Sequence, residues 1–393
     1  VGCKNVAAVM HQDDNEQTTM MALAMMANAF VFERSIEDTP HRETGQVLPV
    51  SKAGDTQATV LGNWETIRSH NYWPIFKIAS EVLDCLRVVT AKRTVIPQLV
   101  ELADELAGYG ATATGDIAGQ LFGTLITDRK FLATFYTLPP SAYLMAELVA
   151  AQLDRQEAIP LGGQAEAWKQ FRIADLACGT GALLTALYQR IAARIRSAGD
   201  DDAALHQTFL EHVVYAVDIM PAAAHLTATL LASAHPSTTF TKSRIVLSPY
   251  GRQKDGSVRV GSLELLDEEY DQQNLLGTPA EGTTVGGLAE HERTEQIAHD
   301  LFNAVVMNPP FTSNTSEQVS AESPSPTFAG LANDQVAQEE MEQRSERLAT
   351  QRAQRLTKTV PGLKPARSGH AGLASDFIDL ADLKIRARGG PSA

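Results

Sequence analysis

Two short stretches of this chain combine side chains and spacing suited to chemistry. One is Asn308-Pro309-Pro310-Phe311, which follows the apolar run Val305-Val306-Met307. The lone pair of a planar amino group such as adenine N6 is delocalised into its ring, so the nitrogen is a poor nucleophile. An Asn side-chain oxygen and a backbone carbonyl can both accept hydrogen bonds from that NH2. Together they favour a tetrahedral nitrogen and stabilise the positive charge that develops as it attacks an electrophile. An aromatic face beside them stacks on a base taken out of the double helix. The plainer reading is that two prolines terminate a strand. The other stretch is Asp175-Leu176-Ala177-Cys178-Gly179-Thr180-Gly181. Glycines at a strand-to-helix turn let a ligand approach the backbone, and the following helix offers free N–H groups. A dinucleotide fingerprint requires a third small residue three positions after the second glycine. Leu184 stands there, and an acid at Asp175 repels a pyrophosphate. The motif suits a ligand carrying an amino group and a sulfonium, or else it is only a structural turn. A sulfonium is already a good leaving group, so the chemistry needs neither a metal nor a covalent nucleophile.

Both motifs must be held at strand ends, and the periodicity of the chain supplies the strands. The pattern around the glycines predicts a strand over Phe171 to Ala177, a tight turn, and a helix over Ala182 to Arg196. A second strand, Val213 to Val217, ends at Asp218 and leads into the Ala/Leu-rich helix from Ala222 to Ser233. Arg244 to Leu247 and Ala304 to Met307 read as further strands. Strands alternating with helices imply an α/β fold, with a mostly parallel sheet covered on both faces. Upstream the chain reads as helical. The segment Met20 to Phe32 is a core helix. Trp64, Ile67, Tyr72, Ile75, Ile78, Val82 and Leu86 recur at helical spacing, with Pro74 starting a new helix. Asp116 to Phe131 is also amphipathic. At Phe135-Tyr136-Thr137-Leu138-Pro139-Pro140 the prolines separate two elements, with Ser141 the N-cap of a helix from Ala142 to Leu153. Ser313 to Pro326 reads as a loop. Gln335 to Leu356 is a polar helix without an apolar stripe, and Ser375 to Ile385 is amphipathic again.

In this order the motifs resemble the gamma-class N6-adenine DNA methyltransferases, which include the modification subunits of type I restriction systems and large methylases of phage-defence systems. Phe135-Tyr136-Thr137 resembles the upstream cofactor motif of the class, although Leu138 intervenes before the proline. Gly115-Asp116, Gly119 and Phe122 resemble its helical lead-in. The resemblance implies a Rossmann-like S-adenosylmethionine methyltransferase core over residues 134–311, preceded by an N-terminal helical region over 1–133. Residues 312–370 would be an inserted loop and polar helix, and 371–393 the start of the remaining catalytic core. It further implies that Phe135, Tyr136 and Thr137 line the methionine end of S-adenosyl-L-methionine. Asp175, Ala177, Gly179 and Gly181 would hold its amino-acid portion and underlie the ribose. Asp218 would accept from the ribose hydroxyls, and Asp267 would contact the adenine. Glu264 is the alternative to Asp267, and a solvated acidic cluster is the plain reading of both. Asn308, Pro309, Pro310 and Phe311 would be catalytic.

The composition bounds these expectations. Hydrophobic residues make up 44% of the 393, which calls for a buried core. No apolar run is long enough to span a membrane, and Met20 to Phe32 lacks the basic flank of a signal peptide. Cys3, Cys85 and Cys178 fit neither a zinc site nor a disulfide framework, so a cytoplasmic protein with reduced thiols is expected. A formal charge of −14 argues against non-specific coating of nucleic acid. A local basic face remains compatible with DNA binding. One such stretch runs from Arg344 through Arg347, Arg352, Arg355, Lys358 and Lys364 to Arg367; its plain reading is a solvated helix face. The chain opens on Val1 and closes on a turn-like Arg388-Gly389-Gly390-Pro391. A sheet ending there would leave the Asn308 strand with an apolar edge. The expectation is therefore that the natural protein continues beyond Ala393, or that a second polypeptide completes the sheet; the partners expected are DNA and a specificity or other defence-system subunit. Asn-Pro-Pro-Phe also resembles the motif of ribosomal RNA guanine-N2 methyltransferases, and its Tyr variant that of methyltransferases acting on protein glutamine, so an RNA (guanine-N2 or adenine-N6) methyltransferase is an alternative. A non-catalytic methylase-like subunit is a further alternative, while Leu184 and Asp175 disfavour an NAD-dependent oxidoreductase.

Overall fold

The structure is a computed structural model. It describes residues 6–7, 9, 16–38, 40, 45–109, 137–248, 250–252, 256–266, 283–284, 297–309, 343–344, 347, 350, 354 and 372–385. The first part is helical. Helix α1 (Glu16–Ile36) is followed by α2 (Gln57–His70), α3 (Trp73–Cys85) and a continuous helical stretch that ends in α4 (Ile96–Gly108). The Met20 to Phe32 run is apolar on nearly every side, so its helix is stable only when surrounded. Accordingly α1 packs against α3, α4 and, further along the chain, α8 (Pro221–Ala232). Thr56 caps α2 by accepting the Thr59 N–H at 3.1 Å, the usual remedy for an orphan helix-start donor. Phe30, Trp64 and Phe76 stack as tilted aromatic pairs at the centre of this layer. Beside them sits buried Glu33, which accepts from Ser51 and from the Trp64 indole at 2.9 Å. Burial nonetheless pushes its carboxyl up to about 7.

Next come α5 (Pro139–Arg155), β1 (Ile173–Asp175), α6 (Ala182–Ser197), α7 (Asp202–Thr208) and β2 (Val214–Asp218). Helix α8 leads to β3 (Arg244–Leu247), a hairpin of β4 (Tyr250–Arg252) and β5 (Val258–Val260), and a 3-10 turn over Gly261–Leu266. The remaining elements are β6 (Thr283–Thr284), β7 (Ala304–Val305) and α9 (Gly372–Lys384). The start of α5 corrects the sequence expectation. Pro139 and Pro140 are its first residues and Leu138 is the cap, not Ser141. Proline has no N–H to lose at that position, and its fixed φ already suits a helix. The hairpin, α7 and β6 were not anticipated, because these elements are short and lack a sustained period.

The sheet runs β6-β3-β2-β1-β7, with β3, β2, β1 and β7 parallel and β6 antiparallel at one edge. Alternate strand residues feed two separate apolar layers, as the two-residue repeat of a strand demands. Ile173, Val214, Ala216, Ile245 and Ala304 face α6 and α8 and join the core of the helical part. Ala174, Tyr215, Val217 and Val246 face the other way, against Phe377, Leu380 and Leu383 of α9. After α9, Ile385 bridges Phe302 in parallel, just ahead of β7, and so meets the outer side of that strand at its start.

The helical layer and the sheet share one continuous core. Polar ties reinforce it: Asn28 of α1 donates to Thr229 of α8 at 2.9 Å, and the Tyr72 hydroxyl donates to the Pro236 carbonyl.

Candidate functional site

Because β2 and β3 lie on one side of β1 and β7 on the other, the chain reverses direction across the sheet between β1 and β7. In open parallel sheets a crevice forms outside the carboxyl ends of the strands at such a reversal, and ligands bind there. Three of the sequence-selected segments reach this edge: the turn after β1, Asp218 at the end of β2, and Asn308 just beyond β7.

The turn after β1 is held mainly by backbone. The Cys178 N–H donates to the Val217 carbonyl at 3.0 Å, and the Gly181 N–H closes back on the Cys178 carbonyl at 2.8 Å. Gly179 and Gly181 both adopt positive φ, 52° and 85°, which favours glycine. The two differ in their surroundings. A Cβ on Gly181 would lie 2.9 Å from the Thr227 side chain of α8, whereas one on Gly179 would meet nothing within 4 Å. Close packing thus accounts for Gly181, while Gly179 borders open space that a ligand could enter. Thr227 fastens the turn from below, donating to the Gly179 carbonyl at 2.9 Å. Sequence reasoning missed this residue, although a signal existed. Thr227 and Thr229 interrupt an Ala/Leu-rich helix, and a buried hydroxyl there needs a partner.

Asp218 binds the two strand ends together. Its Oδ2 accepts the Gly179 N–H and its Oδ1 the Met220 N–H, each at 2.8 Å. The Ile219 N–H also stabilises this carboxylate, which still keeps some acceptor capacity. Desolvation raises the carboxyl to about 6 in spite of these bonds. Asp175 is buried beneath the turn, its Oδ1 accepting the Ala177 N–H at 3.0 Å. Burial, and to a lesser degree the nearby Asp218 charge, push it up to about 8. The pair therefore resists carrying two negative charges, and a cation in the crevice would relieve both.

On the other side of the reversal, the Asn308 amide nitrogen donates to the Thr137 hydroxyl at 3.2 Å. These residues stand 171 positions apart in the chain. The bond fixes which way the amide points, turning its nitrogen toward Thr137 and its carbonyl oxygen onto the opposite branch. Pro309 follows, half-buried. Phe135, Tyr136, Asp267, Pro310 and Phe311 lie outside the described residues.

Glu264 departs from expectation. It is not part of a solvated acidic cluster: it is buried on the 3-10 turn, where it accepts the Val260 N–H at 2.9 Å. Arg344, the first residue of the basic stretch, pairs with it. Arg347, Thr350 and Gln354 are helical and exposed, in keeping with a polar helix face.

Among the described residues no helix is long and apolar enough to cross a membrane, and no three metal-ligating side chains converge. No family model matches the chain, and no curated protein matches it. Among solved structures it is similar to the type IIG restriction endonuclease BpuSI, with a TM-score of 0.46 and 14% identity. The match covers 98% of this chain and 32% of that one, so the chain spans about a third of that protein's length.

Proposed function

We propose that this chain is the catalytic core of an S-adenosylmethionine-dependent DNA methyltransferase of Rossmann-like fold that modifies adenine N6, acting in restriction-modification or phage defence. The observation that carries the reading is the meeting of two unlike half-sites at one sheet edge. On one side lie an open glycine turn and two acids whose environment favours a cation. On the other lies an Asn amide oriented by a hydroxyl.

The residues fit the cofactor. The space beside Gly179 would admit its amino-acid portion, Asp175 would answer its positive charge, and Asp218 retains lone pairs for the ribose hydroxyls. When bound, S-adenosylmethionine supplies an electrophilic methyl group on a sulfonium. The chain's own contribution lies on the acceptor side. Asn308 accepts a hydrogen bond from the exocyclic NH2 of a flipped adenine, reducing the delocalisation of its lone pair into the ring. Thr137 holds the Asn308 amide so that oxygen, not nitrogen, meets the base. Phe311 would stack on that base. Duplex DNA is the partner this chemistry requires, and a specificity or other defence-system subunit would choose its sequence.

The test is transfer of tritiated methyl from S-adenosylmethionine to unmethylated DNA, followed by digestion to nucleosides. Label in N6-methyladenine that disappears in Asn308→Ala is the expected result. Cofactor binding without any DNA label would turn the reading toward RNA, toward protein amide substrates, or toward a non-catalytic subunit.

A further inference from the structure

Arg344 meets Glu264 through paired hydrogen bonds, Nε to Oε1 at 2.8 Å and Nη2 to Oε2 at 2.6 Å, across 80 positions of sequence. Bidentate guanidinium–carboxylate pairs fix orientation as well as charge. Glu264 is 2% exposed, and its other close cation, Arg259, stands off at 3.9 Å. Truncating Arg344 would leave a buried carboxylate without its bidentate partner, a costly state.

The placement of Glu264 gives the pair its meaning. Its turn packs through Leu263 and Leu266 beneath β1, β2 and β3. At the head of the turn, a Cβ on Gly261 would lie 2.4 Å from Ile219 Cγ2, so the backbone presses on the residue next to Asp218. Arg344 stands 36 positions after Asn308 in the chain. The pair therefore joins chain downstream of the acceptor-side strand to the support of the cofactor-side acid.

We infer that Glu264 and Arg344 are positioning residues: an anchor that fixes the chain leaving Asn308 against the base of the cofactor side, so that both halves of the edge are set together. The catalytic part of this inference rests on the methyltransferase reading; the anchoring part does not.

The test uses the full chain and the variants Arg344→Ala, Arg344→Lys, Glu264→Gln and Glu264→Gln/Arg344→Ala. Trypsin cleavage after exposed Arg347 should accelerate by about fivefold or more in Arg344→Ala, in line with the coupling of a buried pair, and less in Arg344→Lys. The double variant should melt above Arg344→Ala, because the stranded charge is gone, yet stay as sensitive to trypsin. In methyl-transfer assays Arg344→Ala should raise KM for DNA while leaving cofactor affinity within about twofold of wild type, a split that general destabilisation would not give. Unchanged cleavage in Arg344→Ala overturns the anchor. An equal loss of cofactor affinity and DNA KM, not eased by Arg344→Lys, overturns the positioning role. If wild type transfers no methyl to DNA, the function proposed above fails, and the anchor is decided by the trypsin result.

Discussion

The two sides of the strand reversal are built differently. The β1–β2 side is fixed chiefly by backbone groups: Gly179 and Met220 amides on Asp218, the Cys178 amide on the Val217 carbonyl, and the Gly179 carbonyl under Thr227. On the β7 side the strand is tied to β1 through the Val306 amide on the Ala174 carbonyl, and beyond it Asn308 reaches Thr137 by a bond between two side chains distant in sequence. A site fixed by backbone is expected to be stiff and to register mutations as lost stability. A side chain that lies beyond the strand end and faces the reacting atoms is expected to register them as lost rate.

That contrast can be broken by experiment. The largest effect should come from Asn308→Ala, with kcat for methyl transfer falling by about 10²–10³-fold, the usual cost of removing a group that stabilises developing charge. Cofactor affinity and melting temperature should barely change; a large loss of stability would put Asn308 on the structural side instead. On the β1 side, Gly181→Ala should lower unfolding free energy in urea by about 2–5 kcal/mol, combining left-handed strain with overpacking against Thr227. Gly179→Ala, strained but unobstructed, should cost only about 1–2 kcal/mol. Equal losses at the two glycines would remove the distinction drawn between them. Thr137→Val should reduce kcat roughly 2- to 10-fold, the worth of one hydrogen bond, again with little change in melting.

A separate test of the β1 side is one of pH. Folding raises the Asp175 carboxyl from 3.8 to about 8, chiefly by desolvation, so the native state holds the proton more tightly than the unfolded chain. The stability that follows is fully present below about pH 4 and is lost as pH rises towards 8. Without cofactor, Asp175→Asn should therefore melt above wild type by a margin that widens across that window. A margin independent of pH would show that Asp175 ionises freely in the fold.

The sequence made the sheet legible because each strand–turn–helix unit carries its own signals. The glycines after β1 and the predicted limits of β3 and α6 could be read locally. The helical part was legible for the same reason, since a stretch such as Met20 to Phe32, apolar but for Asn28, has no stable place except a core. The joining of these parts was harder to read. Nothing local links Asn28 to Thr229, Thr137 to Asn308 or Arg344 to Glu264, because each pair depends on where whole elements come to rest. Glu264 illustrates the limit. In Leu263-Glu264-Leu265-Leu266-Asp267 an acid reads as solvated unless its partner is known, and that partner lies 80 residues away.

Helix α8 carries Thr227 and Thr229, one bonded to the glycine turn and the other to α1. Two positions along a helix lie about 200° apart around its axis. The helix is thus keyed at nearly opposite angles and cannot roll in either direction without shearing one bond. Its rotational stillness is borrowed from α1. Loosening Asn28 would let the floor of the glycine turn swivel, and the earliest sign would be faster hydrogen exchange at the Gly179 amide.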